Sequence, residues 1–428
     1  MKTGIVNQWD KKRVKYIFRE IDERSRDGKE TLLSVSEYYG VRPRSESFGD
    51  AEFLSRAETL EGYKKCAAGD LVINIMLAWK RGLGVTPVDG IVSPAYNVFR
   101  LRQKDACPEF YHYLLRTDEY LAEFTRRSTG IMASRLRMYP DSFMDVRVQL
   151  PPTTEQRKIA AYLHEATAKV DQLVKLRERQ MELLQEQRAA LIQQAVTRGL
   201  NPRASLKDSG LPWLGQIPKH WKTTQVRRIS SFVTSGSRGW AEFYSDSGDI
   251  FVQSGNLTRN MTVDLKNAQR VQPPAGAEGE RTLIAQDDVL ICVTGGLTGN
   301  VAYVDFPPPT AYINQHVALV RSRQNLVAPK FLATALWSVQ GQTQFKLAEY
   351  GGTKQGLSLD DVRLAWIALP PRPEQTEILD FIQKESAQID RLLSTYTRQI
   401  ELLTEYRAAL IHECVTGQRA LPAKTKEN

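Results

Sequence analysis

Phosphate groups are held by cations or backbone amides, whereas base edges are read by Arg, Lys, Asn or Gln side chains that reach a groove. Residues of these types gather in a few short stretches beside glycine, proline or aromatic residues. In the first half they are Ser36, Tyr38, Tyr39, Arg42 and Arg44 within SEYYGVRPR, then Lys80 and Arg81 after Trp79, then Arg126, Arg135 and Arg137. In the second half they are Ser237 and Arg238, Asn256 and Arg259, Asn314, Gln315 and His316, and Lys354 and Gln355. All are candidate nucleic-acid contacts. Any single Arg or Lys also reads as a solvated basic loop residue, and Asn314 or Gln315 equally as a strand-end cap. Lys and Arg number 58 against 49 Asp and Glu, a formal charge of +9 with a pI near 9.2. That balance favours a polyanionic partner without deciding for one.

Other chemistries lack their residues. There is no N/D-P-P-Y/F run with a glycine-bearing cofactor loop, as amino-group methylation of a flipped base needs, and no G-x-x-x-x-G-K-S/T phosphate loop. Asp264-Leu265-Lys266 has the D-x-K form of many nucleases but no P-D pair at a sensible distance before it. His112, His164, His220, His316 and His412 are scattered, and Cys66, Cys107, Cys292 and Cys414 form no C-x-x-C pair, so neither a metal site nor a disulfide framework is expected. The apolar stretch Leu71 to Trp79 is far shorter than the roughly 20 residues that span a bilayer. The expectation is a soluble, cytoplasmic protein with no catalytic, cofactor or metal residues.

The elements that must position the candidate contacts are set by a tandem repeat. LPPTTEQRKIAAYLHEATAKVDQ and its continuation to Thr197 begin at Leu150, and LPPRPEQTEILDFIQKESAQIDR and its continuation to Thr416 begin at Leu369. Because 369 − 150 and 416 − 197 both give 219, the copies align without a gap. Upstream, Trp9, Val14 and Ile17 match Trp221, Val226 and Ile229, Asp70-Leu71-Val72-Ile73 resembles Asp288-Val289-Leu290-Ile291, and Pro108-x-Phe110 resembles Pro329-x-Phe331. The stretches between these anchors have diverged.

Each repeated end reads as a helix. Pro151 and Pro152 precede it, Thr153 or Thr154 can cap it, and Glu155 complements its positive end. Ile159, Leu163, Ala166, Val170, Leu173, Leu184 and Leu191 follow at steps of three and four, interrupted by Arg177, Gln180 and Gln187. The second copy has Ile378, Ile382, Ile389, Leu392, Tyr396, Leu403, Tyr406 and Leu410. About 40 residues at about 1.5 Å each give roughly 60 Å, too long for one small domain to bury. Antiparallel packing of the two helices is the economical solution, and packing of each on its own domain, or dimerisation, is the alternative. Gly199, Asn201 and Pro202 stop the first helix, and Gly417 with Pro422 the second. Residues 1–149 and 203–368 mix strand-like runs (Leu71 to Met76, Val88 to Val92, Val289 to Val293, Val317 to Val320) with helical stretches Glu109 to Arg127 and Lys330 to Leu347. Each is α+β. The expected layout is a globular domain at 1–149, a long helix in 150–202, a second globular domain at 203–368, and a long helix with tail at 369–428.

LPP followed by EQ, then Val170-Asp171 or Ile389-Asp390, then RAALI, resembles the paired central and distal regions of Type I restriction-modification specificity subunits. WLGQIPKHW, Trp213 to Trp221, is similar to the segment that opens their second target-recognition domain, and Gly352-Thr353-Lys354-Gln355-x-Leu357-Ser358 to the stretch before LPP. The resemblance implies a non-catalytic reader of double-stranded DNA. Each globular domain would take one half of a bipartite site, with an antiparallel coiled coil fixing the gap. It also implies two modification subunits bringing S-adenosylmethionine chemistry, and restriction subunits bringing ATP and Mg. The first copy departs from the pattern: it has almost no counterpart to Asp208 through His220, and Ser128-Thr129-Gly130 leads to Ser134-Arg135-Leu136 where Leu-Ser is expected. A structural adaptor and an enzyme are the competing classes.

Overall fold

The computed structural model describes residues 9–48, 59–130, 132, 135–236, 238–273, 276–349 and 356–422. The chain divides into two compact units, residues 1–177 with 397–428, and residues 178–396. Each unit therefore takes part of both long helices.

The first unit is built on a four-stranded antiparallel sheet in the order Phe18–Ile21, Tyr96–Leu101, Leu71–Asn74, Leu83–Val85. Its apolar runs are buried on both faces, with helices Pro108–Leu114, Asp118–Arg127 and Pro140–Met144 packed against one of them. The expected helix from Glu109 to Arg127 is two helices. The chain turns at Arg116 and Thr117, where the Thr117 hydroxyl donates to the Leu114 carbonyl at 2.9 Å in place of the ladder. A hairpin, Leu33–Ser36 with Gly40–Pro43, projects from this framework, and Gly40 at φ +87° supplies the left-handed turn.

The second unit repeats the design with Ser230–Ser235, Val317–Ser322, Val289–Cys292 and Val301–Tyr303 in the corresponding order. It adds a second four-stranded sheet that contains the parallel pair Asp249–Val252 and Ala311–Ile313. The stretch Lys330 to Leu347 is likewise broken, at Ser338, whose hydroxyl donates to the Ala335 carbonyl and accepts from the Gly341 amide.

The repeated Asp before each central strand has a defined task. Asp70 takes Arg100 in a two-pronged pair at 2.8 Å and accepts the Ala67 amide, and Asp288 takes Arg321 at 2.8 and 2.7 Å and accepts the Ala285 amide. Both carboxylates are buried. Each ties the entry of one strand to its neighbour, so the anchor recurs because the sheet does.

The long helices run Thr153–Arg198 and Arg372–Val415. The LPP-x-x-EQ motif is their entry turn. Gln156 Nε2 donates to the Pro151 carbonyl and Gln375 Nε2 to the Pro370 carbonyl, both at 2.9 Å, so a glutamine from the first turn closes the proline segment in each copy. Exit is equally repeated: Gly199 at φ +70° lies against Trp221 and Gly417 at φ +74° against Trp9, and the left-handed backbone at both favours glycine.

Every second position of the expected stripe holds, and the positions between shift by one residue. The stripe runs through Val170, Val174, Arg177, Met181, Leu184, Arg188, Leu191 and Ala195, and in the second copy through Ile389, Leu393, Tyr396, Ile400, Leu403, Arg407, Leu410 and Cys414, all partly or fully buried. Leu173, Leu392 and Tyr406 face outward with 45%, 43% and 47% exposure. From Val170 the stripe takes its four-residue step first, and a choice of apolar residues alone places it a residue early. Within the first unit Arg407 Nε donates to Asp171 at 2.9 Å; within the second Arg188 pairs with Asp390. Offset by 219, Asp171 corresponds to Asp390 and Arg188 to Arg407, so the two ion pairs are one contact made reciprocally.

Replacing Arg321 by Met leaves the Asp288 carboxylate buried without its cation. The second unit is expected to lose about 3 kcal/mol, read from urea unfolding, and a loss under about 1 kcal/mol would contradict the anchor role.

Candidate nucleic-acid interface

In the first unit the hairpin carries most of the candidates. Tyr38 at its tip is 83% exposed, Arg42 stacks on the Tyr39 ring at 4.7 Å, and the Ser36 hydroxyl accepts the Tyr38 amide at 3.1 Å. Arg44 opens the short helix that follows. Lys80 lies over the Trp79 ring at 5.0 Å, and Arg81 sits at φ +64°, a left-handed conformation costly for a residue with a Cβ. Arg81 is held there by Asp118 and by its Nε, which donates to the Arg116 carbonyl at 3.2 Å. Arg135, Arg137 and the exposed Met132 line a separate surface hollow. Arg126 is occupied: Glu123 takes it at 2.9 and 2.7 Å, and Arg126 leads the groups that hold the Glu123 carboxyl down at about 2. Among the described residues, Arg42, Lys80, Arg135 and Arg137 have no carboxylate within ion-pair distance, which leaves their charge for an external anion.

In the second unit Arg238 and Arg259 are exposed and likewise lack a carboxylate among the described residues. Asn256 and Asn314 are 9% and 7% exposed, and their side-chain oxygens accept the Gln253 amide at 2.9 Å and the His316 amide at 3.0 Å. Both shape loops from within. Gln315 is exposed and its Nε2 meets His316 Nε2 at 3.1 Å, while His316 Nδ1 bonds the Thr294 hydroxyl. Ser237, Lys354 and Gln355 lie outside the described residues.

Both units thus present uncompensated cations on loops carried by one framework. Residues 223–402 match the family model described as Type I restriction modification DNA specificity domain. The chain is 22% identical over 318 residues to the Type I restriction enzyme EcoBI specificity subunit of Escherichia coli, covering 72% of this chain and 65% of that protein. It is 22% identical over 324 residues to a putative type I restriction enzyme MjaX specificity subunit of Methanocaldococcus jannaschii, covering 73% and 68%. In fold it is similar, with a TM-score of 0.72 at 16% identity and coverage of 97% and 99%, to a chain solved for complex assembly and conformational transition of the type I R-M system. It is also similar to the HsdS subunit from Thermoanaerobacter tengcongensis, with a TM-score of 0.55 at 17% identity and coverage of 96% and 97%. Over almost three quarters of its length the chain is thus similar to Type I restriction enzyme specificity subunits.

The first unit also holds a feature that no spacing announced. A cavity of about 860 Å³ opens between the hairpin, the broken helix and the two long helices. Three of the five histidines, His112, His164 and His412, line it together with Arg42, Arg116 and Arg407. The scatter seen along the sequence is therefore partly undone by the fold, although no cluster able to hold a metal ion occurs among the described residues. His112 is ringed by protein and accepts the Val85 amide through Nδ1 at 3.3 Å. Burial first, then Arg116, Arg407 and Arg42, pulls its pKa down to about 3. Arg116 and Thr294 were missed from sequence. Arg116 stands in a stretch that reads as one amphipathic helix, and Thr294 is marked only by the glycines that follow it.

Because His112 ionises more readily in the unfolded chain, the unfolded state binds more protons from the ordinary histidine range near 6.5 down to about 3. The first unit should lose stability as pH falls through that window. Thermal unfolding followed between pH 7 and 4 should show a shallower decline for His112→Gln; an identical slope would contradict it.

Proposed function

We propose that this chain is the non-catalytic, cytoplasmic DNA reader of a Type I restriction-modification complex, each unit taking one half of a bipartite site in double-stranded DNA. The observation that carries the reading is the reciprocal use of one design: two like sheets, each bearing loops with unneutralised arginines. Phosphate contacts then fall to Arg42, Lys80, Arg135, Arg137, Arg238 and Arg259, which position the protein, and amide side chains such as Gln315 suit base edges. Asn256 and Asn314 act by shaping the loops that carry their neighbours.

The two long helices form an antiparallel coiled coil that sets the gap between half-sites. The heptad stripes and the paired Asp171–Arg407 and Asp390–Arg188 contacts support this. Two modification subunits dock on the outer helix faces around Arg177 to Glu186. Exposed leucines supply the apolar part of such a surface twice: Leu173 and Leu402 in the first unit correspond at the 219 offset to Leu392 and Leu183 in the second. A duplicated patch suits two copies of one partner. S-adenosylmethionine, ATP and Mg belong to the modification and restriction subunits, consistent with the absence from this sequence of the motifs that bind them. Among the described residues no helix is long and apolar enough to cross a membrane.

The test is to lengthen both helices without breaking the stripe. One heptad inserted after Gln180 and one after Gln399 adds about 10 Å, or about three base pairs of duplex. Selection from a randomised duplex library with the assembled complex should return both original half-sequences with a spacer longer by that amount. An unchanged spacer, or new half-sequences, would contradict the reading.

A further inference from the structure

Arg116 lies where the helices Pro108–Leu114 and Asp118–Arg127 part, largely enclosed by protein. Its guanidinium meets five backbone carbonyls. Nη1 donates to Arg81 at 2.7 Å, Leu83 at 2.5 Å and Ser36 at 3.5 Å, and Nη2 to Glu37 and Tyr38 at 3.0 Å each. No carboxylate among the described residues pairs with it. Burial, then Arg81 and Arg407, lowers its pKa to about 10, so it stays charged at neutral pH.

Those carbonyls come from two segments that are far apart in sequence, the hairpin tip Ser36 to Tyr38 and the loop Arg81 to Leu83. These segments carry the candidate contacts Ser36, Tyr38 and Arg81 and adjoin Tyr39 and Lys80. A turn carbonyl normally faces water, and here five of them solvate one cation. The two terminal nitrogens of the planar guanidinium present four N–H groups in a fixed fork, the long Ser36 contact sharing one of them, and so span both loops; a lysine ammonium is a compact charge with three donors and no such spread. The return bond from Arg81 Nε to the Arg116 carbonyl at 3.2 Å locks the second loop from the other side, beside its left-handed residue. Aligned on Pro108-x-Phe110 and Pro329-x-Phe331, the counterpart of Arg116 is Trp337, whose indole N–H donates to the Arg259 carbonyl at 3.2 Å. Different residues at one framework position thus reach under a candidate reading loop in each unit.

We propose that Arg116 is a positioning residue for DNA specificity, fastening the Ser36–Tyr38 and Arg81–Leu83 loops into one reading edge without touching the bases itself. The inference rests on the assignment of DNA reading to the first unit. It places one determinant of sequence preference beneath the surface, where a variant can change what is read while every exposed cation remains.

The experiment uses the full chain assembled with its modification subunits. Half-site preferences are obtained by selection from a duplex library randomised on both sides of a spacer, for the unaltered protein, Arg116→Lys and Arg116→Gln. Hydrogen exchange of residues 36–44 and 79–85 is followed in the same samples. The proposal predicts about a ten-fold loss of base discrimination in one half-site, with the other half-site kept within about two-fold. Both segments should exchange faster together in either variant. Retained discrimination with unchanged exchange would overturn the positioning role alone. Equal loss in both half-sites would overturn it too, since that outcome marks general destabilisation. If the unaltered complex selects no bipartite site, the DNA-reading assignment fails, and this inference with it.

Discussion

The structure depends on a burial constraint: neither copy of the repeat encloses its own core. In the first unit Ile159, Ala160 and Leu163 of the first long helix are buried in one cluster with Leu410, Cys414 and Val415 of the second. In the second unit Ile192, Ala195 and Val196 share a cluster with Ile378 and Ile382. Each Ile, Leu or Val among them contributes about 1.5 to 3 kcal/mol when taken from water, whereas a part-exposed ion pair contributes about 0 to 1 kcal/mol. Hydrophobic burial therefore holds the helix ends together. Asp171–Arg407 and Asp390–Arg188 add a matched pair of charges to that burial.

Once both helices are committed at both ends, the rest follows in order. The helix entry turns, closed by Gln156 and Gln375, hand the chain over from the strands Arg147–Leu150 and Trp366–Leu369. Those strands pair with Asp10–Arg13 and Lys222–Gln225, which begin the two copies. Each sheet is then pinned by one buried aspartate on one arginine, and loops can vary on a frame that does not. That division explains why the divergent stretches lie between the repeated anchors.

The two-copy α+β layout, the repeat offset and the two long helices were legible in the sequence, because periodicity and a gapless match encode them directly. The intervening positions of the stripe were not: Leu173 and Val174 are both apolar, and only the partner surface decides which one turns inward. The helix break at Arg116 and Thr117 was hidden because local propensity runs through it. The meeting of His112, His164 and His412 needs three separate elements brought together by the fold. Among the candidate contacts, residue type identified amide and basic groups but not their partners. Asn256, Asn314 and Arg126 look like Gln315 or Arg42 in sequence, and differ only in what already occupies them.

The reciprocal helix pairing is tested most directly by cross-linking. Cysteines are placed at 171 and 407 in one variant and at 188 and 390 in another, against a background whose four native cysteines are buried, and treated with a short bifunctional maleimide. The account predicts an intrachain link in both variants, at a yield independent of protein concentration, with peptide mapping that joins the two long helices. Links found only between chains, or in neither variant, would contradict it.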